Sequence, residues 1–132
     1  MQANTILIVE DNPVNMELVT DLLEVAGYTV LQAENAELGI ELALEEQPSL
    51  ILMDIALPGM DGLTATTYLR RNAGTCAIPI IALTAHAMKG DEQKALDIGC
   101  VGYITKPLDT RKFLPYVAGF LVQKAVNASL AA

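Results

Sequence analysis

Two kinds of apolar pattern alternate along the chain. Short runs that are apolar at nearly every position stand at 5–10, 28–33, 50–54, 78–83 and 101–105. Strands buried on both faces of a sheet read this way, with no polar alternation. Between them, apolar residues recur at helical spacing over 13–26, 36–46, 62–72, 88–98 and 110–124. The pattern therefore predicts five successive βα units.

The residues between runs agree with that division. Asn12 before Pro13 is the order expected of an N-cap and a first-turn proline, and Asp109 stands where it can cap the last helix. Gly27 and Gly99 follow predicted helices at positions suited to a left-handed C′ residue. Short connections and right-handed crossovers then favour one doubly wound, five-stranded parallel sheet of order 2-1-3-4-5, with helices on both faces. A closed barrel would need three further units. The expected organisation is one domain over 1–125 and a tail over 126–132.

Composition narrows the function classes. A chain of 132 residues with 52% hydrophobic content, 18% charged residues and mean hydropathy +0.38 can fill a core, unlike an acidic disordered tail. Its formal charge of −8, with 8 Lys and Arg against 16 Asp and Glu, disfavours nucleic acid as a direct partner, since that affinity comes from cations on phosphates. No apolar run approaches the roughly 20 residues that span a bilayer, so no membrane contact is expected. Met1-Gln2-Ala3-Asn4 lacks the basic start of a secretory leader, which makes a cytoplasmic location the expectation. Cys76 and Cys100 have no CxxC spacing and read as reduced thiols.

In doubly wound sheets ligands bind beyond the carboxyl ends of the strands, at the point where strand order reverses. Here that point lies between the first and third strands. The strand ends supply Glu10-Asp11, Asp54, Thr84 and Lys106-Pro107. Taken singly each is ordinary: an acidic strand end, a loop acid, a hydroxyl, a turn. Together they converge three carboxylates on one place, and their repulsion demands a neutralising charge. Mg²⁺ fits, being a hard cation that takes oxygen ligands and keeps waters for phosphate oxygens. Asp11 and Asp54 are the first expected ligands. Glu10 is expected to act through water or to orient Asp11, and the backbone carbonyl of Ala56 to complete the protein's share. Lys106 and Thr84 suit the equatorial oxygens of a phosphoryl group. With metal and lysine offsetting the charge, Asp54 is placed as a nucleophile toward phosphorus.

These residues stand in motifs that resemble the receiver domain of two-component response regulators. The resemblance rests on residues 6–12 (ILIVEDN), 50–62 (LILMDIALPGMDG), 80–85 (IIALTA) and 103–108 (YITKPL), and so spans nearly the whole chain. It implies a flavodoxin-like (βα)5 fold, phosphorylation at Asp54, Mg²⁺ held by Glu10 and Asp11, Lys106 on the phosphoryl group, and a cis bond before Pro107. It also implies a switch in which Thr84 moves toward the phosphoryl oxygens and Tyr103 turns inward, remodelling the face of the fourth helix, fifth strand and fifth helix. The implied donor is a histidine kinase or histidine phosphotransfer protein, and the implied readout is contact with a downstream protein, no output domain following the fifth helix. Such a chain is no enzyme beyond its own phosphorylation and slow dephosphorylation. The run 84–91 most resembles receivers of hybrid histidine kinases and single-domain regulators of the DivK type.

Ala56 departs from the polar residue often found there in the family, and His86 is expected at the rim, in a packing role or tuning water. Three rival readings fit less well. An FMN binder of the same strand order needs a Gly- or hydroxyl-rich loop where Glu10-Asp11-Asn12-Pro13 stands. A haloacid-dehalogenase-type phosphatase needs a second acid two residues past Asp54, where Ala56 stands. A degenerate receiver would not keep Glu10, Asp11, Asp54, Thr84 and Lys106 together.

Overall fold

The computed structural model describes residues 4–84 and 90–131. Five parallel strands, β1 (Thr5–Val9), β2 (Thr29–Ala33), β3 (Leu50–Asp54), β4 (Ile80–Thr84) and β5 (Gly102–Thr105), lie in the expected order β2-β1-β3-β4-β5. They alternate with α1 (Pro13–Val25), α2 (Ala36–Glu46), α3 (Gly62–Arg71), α4 (Asp91–Asp97) and α5 (Thr110–Ala131). The two-residue strand period divides the core in two. Leu7, Val9, Ile51, Met53, Ile80 and Ala82 pack with Ala36, Ala43, Ala65, Leu69 and Ala95 on one face. Ile6, Ile8, Leu50, Leu52, Ile81 and Leu83 pack with Val19, Leu23, Phe113, Val117 and Leu121 on the other. Every residue of β3 and β4 is buried, which explains why those runs carry no alternation. Each fully buried Leu or Ile contributes about 1.5–3 kcal/mol.

The caps follow the sequence. Asn12 accepts from the amides of Val14 and Asn15, Asn35 from Leu38, and Asp61 from Thr64. Asp109 accepts from Arg111 N–H at the start of α5. Gly27 and Gly99 take φ of 94° and 113°.

Several boundaries differ. β4 starts at Ile80 and not 78, because Ile78 donates its amide to Thr75 in a turn and Pro79 has none to give. β1 ends at Val9, one residue before Glu10, and β2 and β5 each start one residue later than expected. α4 is described from Asp91, after Gly90 at φ 112°; residues 88 and 89 of the expected helix lie outside the described residues. α5 runs on to Ala131, so the segment read as a tail carries helix through that residue. Ala125, Ala128 and Ala131, with no Gly or Pro among them, favour helix where apolar spacing gives no signal.

Arg70 ties α3 to the loops below the sheet: its Nε donates to Gly99 O at 2.8 Å, and its Nη1 to Cys76 O at 2.7 Å and Ile78 O at 2.8 Å. Gly99 admits the side chain, since a Cβ there would lie 2.9 Å from Arg70 Nε. Arg70→Met should cost about 2–3 kcal/mol, by leaving three carbonyls without a charged donor, and lower Tm by roughly 10 °C in a thermal melt.

Candidate functional site

Strand register assembles the site. Val9 pairs with Met53, so Glu10 and Asp54 emerge side by side at the carboxyl edge, and Asp54 pairs with Leu83, one residue before Thr84. Thr84 pairs with Thr105, and Lys106 N–H donates to Thr84 O. Residues 10, 54, 84 and 106 therefore gather at one carboxyl edge of the sheet, within two residues of a common level, although they span most of the chain.

Lys106 Nζ lies 2.5 Å from Glu10 Oε1 and 2.8 Å from Asp54 Oδ2. Glu10 and Asp54 are 1% and 3% exposed, so both carboxylates are withdrawn from water. Asp54 Oδ1 accepts the Ala56 amide at 2.9 Å, which fixes the carboxylate plane. Asp11 is exposed at the rim. One carboxylate oxygen from each of Glu10, Asp11 and Asp54 lies within 4.8 Å of the others. Two buried oxygens, Glu10 Oε2 and Thr84 Oγ1, have no hydrogen-bond partner among the described residues.

The two buried acids divide their roles. Burial, and then the neighbouring Asp54, push the Glu10 carboxyl up to about 7, against the opposing pull of Lys106. Burial also works against ionised Asp54, but hydrogen bonding with Glu10, Lys106 and the Ala56 amide outweighs it and holds Asp54 below its ordinary range. Lys106 loses solvation too, yet its bonds to Asp54 and Glu10 raise its pKa and keep it charged. One ammonium thus faces a firmly ionised Asp54 and a Glu10 that shares its proton readily.

That donor set fits a hard divalent cation. It is all oxygen, carries more negative charge than one lysine neutralises, and includes a buried carboxylate oxygen left without a partner. Since a ligand must be deprotonated to bind metal, Mg²⁺ competes with the Glu10 proton. Mg²⁺ affinity measured by calorimetry should rise about tenfold from pH 6 to pH 8, with proton release at the lower pH. A pH-independent affinity would place Glu10 outside the binding equilibrium.

The remaining expected residues fall as follows. The Lys106–Pro107 bond is cis. Ala56 is exposed beside Asp54. Tyr103 is 39% exposed on β5, the strand at the sheet edge. His86 and residues 85 and 87–89 of the 84–91 run lie outside the described residues. Two features escape a sequence reading. Glu10 Oε1 accepts directly from Lys106 Nζ, a pairing across 96 residues of sequence. Tyr116 on α5 offers its hydroxyl oxygen to the Tyr103 amide at 3.2 Å, passing over Gly102, where a Cβ would lie 2.3 Å from that oxygen. Gly102 was the available signal, as a glycine within a strand marks close approach.

This sheet and its acidic edge are those of a phosphate-signalling receiver: residues 6–118 match the response regulator receiver domain, and the chain belongs to that family, whose members serve as phosphorelay signalling switches. Among its relatives is the polar-differentiation response regulator DivK of Brucella anthropi, 43% identical over 117 residues that cover 89% of this chain and 95% of that protein. The receiver domain of the sensor histidine kinase PA1611 from Pseudomonas aeruginosa, solved with a magnesium ion coordinated in its active site cleft, superposes with a TM-score of 0.84 at 33% identity, covering 91% of this chain and 98% of that one. The receiver domain of Saccharomyces cerevisiae Ssk1, solved in complex with the histidine phosphotransfer protein Ypd1, gives 0.84 at 27% identity over 93% and 92%.

Proposed function

We propose that Asp54 accepts a phosphoryl group from a phosphohistidine, carried by a histidine kinase or a histidine phosphotransfer protein, and that the phosphorylated domain signals by protein contact. The observation that carries this reading is the ionised, buried Asp54 carboxylate, fixed by the Ala56 amide and Lys106 at the strand-order switch point. An Asp54 oxygen attacks phosphorus as the phosphorus–nitrogen bond breaks, and the imidazole leaves with the bonding pair. Lys106 stabilises charge on the equatorial oxygens, and the Asp54 backbone is held by β3 pairing on both sides.

Glu10, Asp11, Asp54 and the Ala56 carbonyl would hold Mg²⁺, which when bound neutralises charge on the transferred group. Thr84 Oγ1, buried and without a partner, is the hydroxyl available to a phosphoryl oxygen. Tyr103, lining a groove of about 710 Å³ with Pro107, Arg111, Lys112 and Tyr116, connects that hydroxyl's strand to an output face on α4, β5 and α5. Met88 and Lys89 of that face lie outside the described residues. No helix among the described residues is long and apolar enough to cross a membrane, in keeping with a cytoplasmic switch formed by a single domain over 1–125. Beyond its own phosphorylation and dephosphorylation the domain turns over no substrate.

Incubation with acetyl phosphate and Mg²⁺, read by intact-mass spectrometry, tests this. One labile phosphoryl mass is expected, absent when EDTA removes the metal. Labelling that persists in EDTA would sink the metal-assisted mechanism.

A further inference from the structure

The two edges of the sheet are protected unequally. On β5 the Tyr116 hydroxyl takes the Tyr103 amide, and Pro107 follows just past the end of the strand. β2 has no such cover: its sequence TVLQA carries no charge and no proline, and its register with β1 is unbroken by a bulge. Sheet edges are ordinarily blunted by one of those devices, because an open edge is a template for another strand.

Hydrogen bonding fixes what this edge presents. Thr29 N–H donates to Asn4 O, and Ala33 O accepts from Glu10 N–H, so residues 29, 31 and 33 turn their backbone groups toward β1. Val30 and Gln32 turn theirs outward, and neither their amides nor their carbonyls have a partner among the described residues. Two donors and two acceptors thus face away from the sheet at the spacing an extended chain matches.

The surroundings define what such a chain has to carry. On the α1 side Gln32, held to Thr20 Oγ1 at 2.9 Å, borders a groove of about 500 Å³ whose walls include Glu17, Asp21 and Glu34 and no cation. On the α2 side Leu31 is half-buried, packed against the same core as Leu38 and Leu42. Side chains of an added strand alternate between these two sides. Neither α1, β2 nor α2 contains a lysine or arginine, the first cation in the chain being Arg70.

We infer that the outer edge of β2 takes an extended segment of a partner protein as an additional strand, one in which Lys or Arg alternates with aliphatic residues. Its backbone pairs with Val30 and Gln32, its cations face Glu17, Asp21 and Glu34, and its aliphatic side chains lie beside Leu31. A second copy of this chain is the poorer occupant, because pairing β2 with itself sets the acids of α1 and α2 against their own counterparts. β2 and β5 are opposite edges of the sheet, and docking here holds whatever the state of Asp54.

The test uses the full chain and a short synthetic peptide alternating Lys and Val, followed by calorimetry and by amide hydrogen exchange. The peptide should bind wild type, more weakly as salt rises, and slow exchange of the Val30 and Gln32 amides by about tenfold or more. The same peptide N-methylated on alternate residues keeps its charge but loses one row of donors, and it should bind at least about tenfold more weakly. Gln32→Pro removes an outward amide that β1 does not use and should weaken binding to a similar degree. Asp21→Lys/Glu34→Lys, which leaves the backbone edge untouched, should do the same and keeps the test decisive where the proline variant does not fold, as judged by circular dichroism. Equal affinity of the methylated and unmethylated peptides overturns the inference, since charge alone would then account for binding. So does binding without protection of Val30 and Gln32, or no binding to wild type at low salt. A wild-type dimer in sedimentation that Gln32→Pro dissolves also overturns it, and assigns the edge to a second copy.

Discussion

Asp54→Asn is expected to take no phosphoryl group from acetyl phosphate under conditions in which the wild type is labelled to completion, a rate loss of at least about 10³-fold. The amide keeps the side chain's shape, and its oxygen can still accept the Ala56 amide that fixes Asp54 Oδ1. What it lacks is the anionic oxygen that must bond to phosphorus. Stability should therefore change by less than about 1 kcal/mol, since one of two adjacent buried acids is neutralised while Lys106 keeps Glu10 as a partner. Intact mass and a thermal melt on the same sample separate loss of chemistry from loss of fold. Lys106→Met provides the contrast. It leaves the nucleophile in place but removes the charge facing it, and labelling should slow by only about 10²-fold. If the Asp54 variant is labelled as fully as wild type, the acceptor is another residue and the site has been misread.

The fold was legible because its signals are redundant. Buried parallel strands announce themselves as unbroken apolar runs, and Asn12, Asp109, Gly27 and Gly99 mark helix ends by local backbone chemistry that needs no tertiary context. Boundaries failed where pairing decides them. Ile78 is as apolar as its neighbours, but its amide closes a turn with Thr75 and never joins the sheet. The end of α5 failed for the opposite reason, since helix persists on alanine propensity after the apolar spacing fades.

The site was legible as a set of residues and less so as a network. Strand ends locate Glu10, Asp11, Asp54, Thr84 and Lys106, because parallel strands of known order bring their carboxyl ends to one edge. Which atoms meet there depends on register to within a residue and on side-chain reach. Glu10 next to Asp11 reads as one of two rim acids, yet it is buried, holds Lys106 at 2.5 Å and has its pKa lifted to about 7, while Asp11 stays exposed. Burial of one residue and exposure of the next follow from the strand's alternation at the point where it leaves the sheet, which composition does not report.

Gly62→Ala should be among the most destabilising single-methyl additions in this chain, costing about 3 kcal/mol or more. Gly62 opens α3 directly after its cap, Asp61, and a Cβ there would lie 2.1 Å from Asp54 O and 2.8 Å from both Asp54 C and Ile55 Cα. All three are backbone atoms, so no rotamer change relieves the overlap; either α3 or the end of β3 has to shift. Gly59, in the same loop, supplies the control. It takes φ of 72° with open space around it, so Gly59→Ala meets only the conformational penalty of a left-handed alanine, about 1 kcal/mol. Urea unfolding of both variants should show the Gly62 change costing at least twice as much as the Gly59 change. Near-equal costs would mean that the β3–α3 loop yields freely and that Gly62 is not what sets α3 against the site. Because the overlapped atom is the carbonyl of Asp54 itself, the Gly62 variant that still folds should also label more slowly with acetyl phosphate, by about tenfold, as the carboxylate moves off Lys106 and the Ala56 amide. The start of α3 abuts the Asp54 carbonyl, so packing of α3 against β3 also positions the carboxylate proposed as the phosphoryl acceptor.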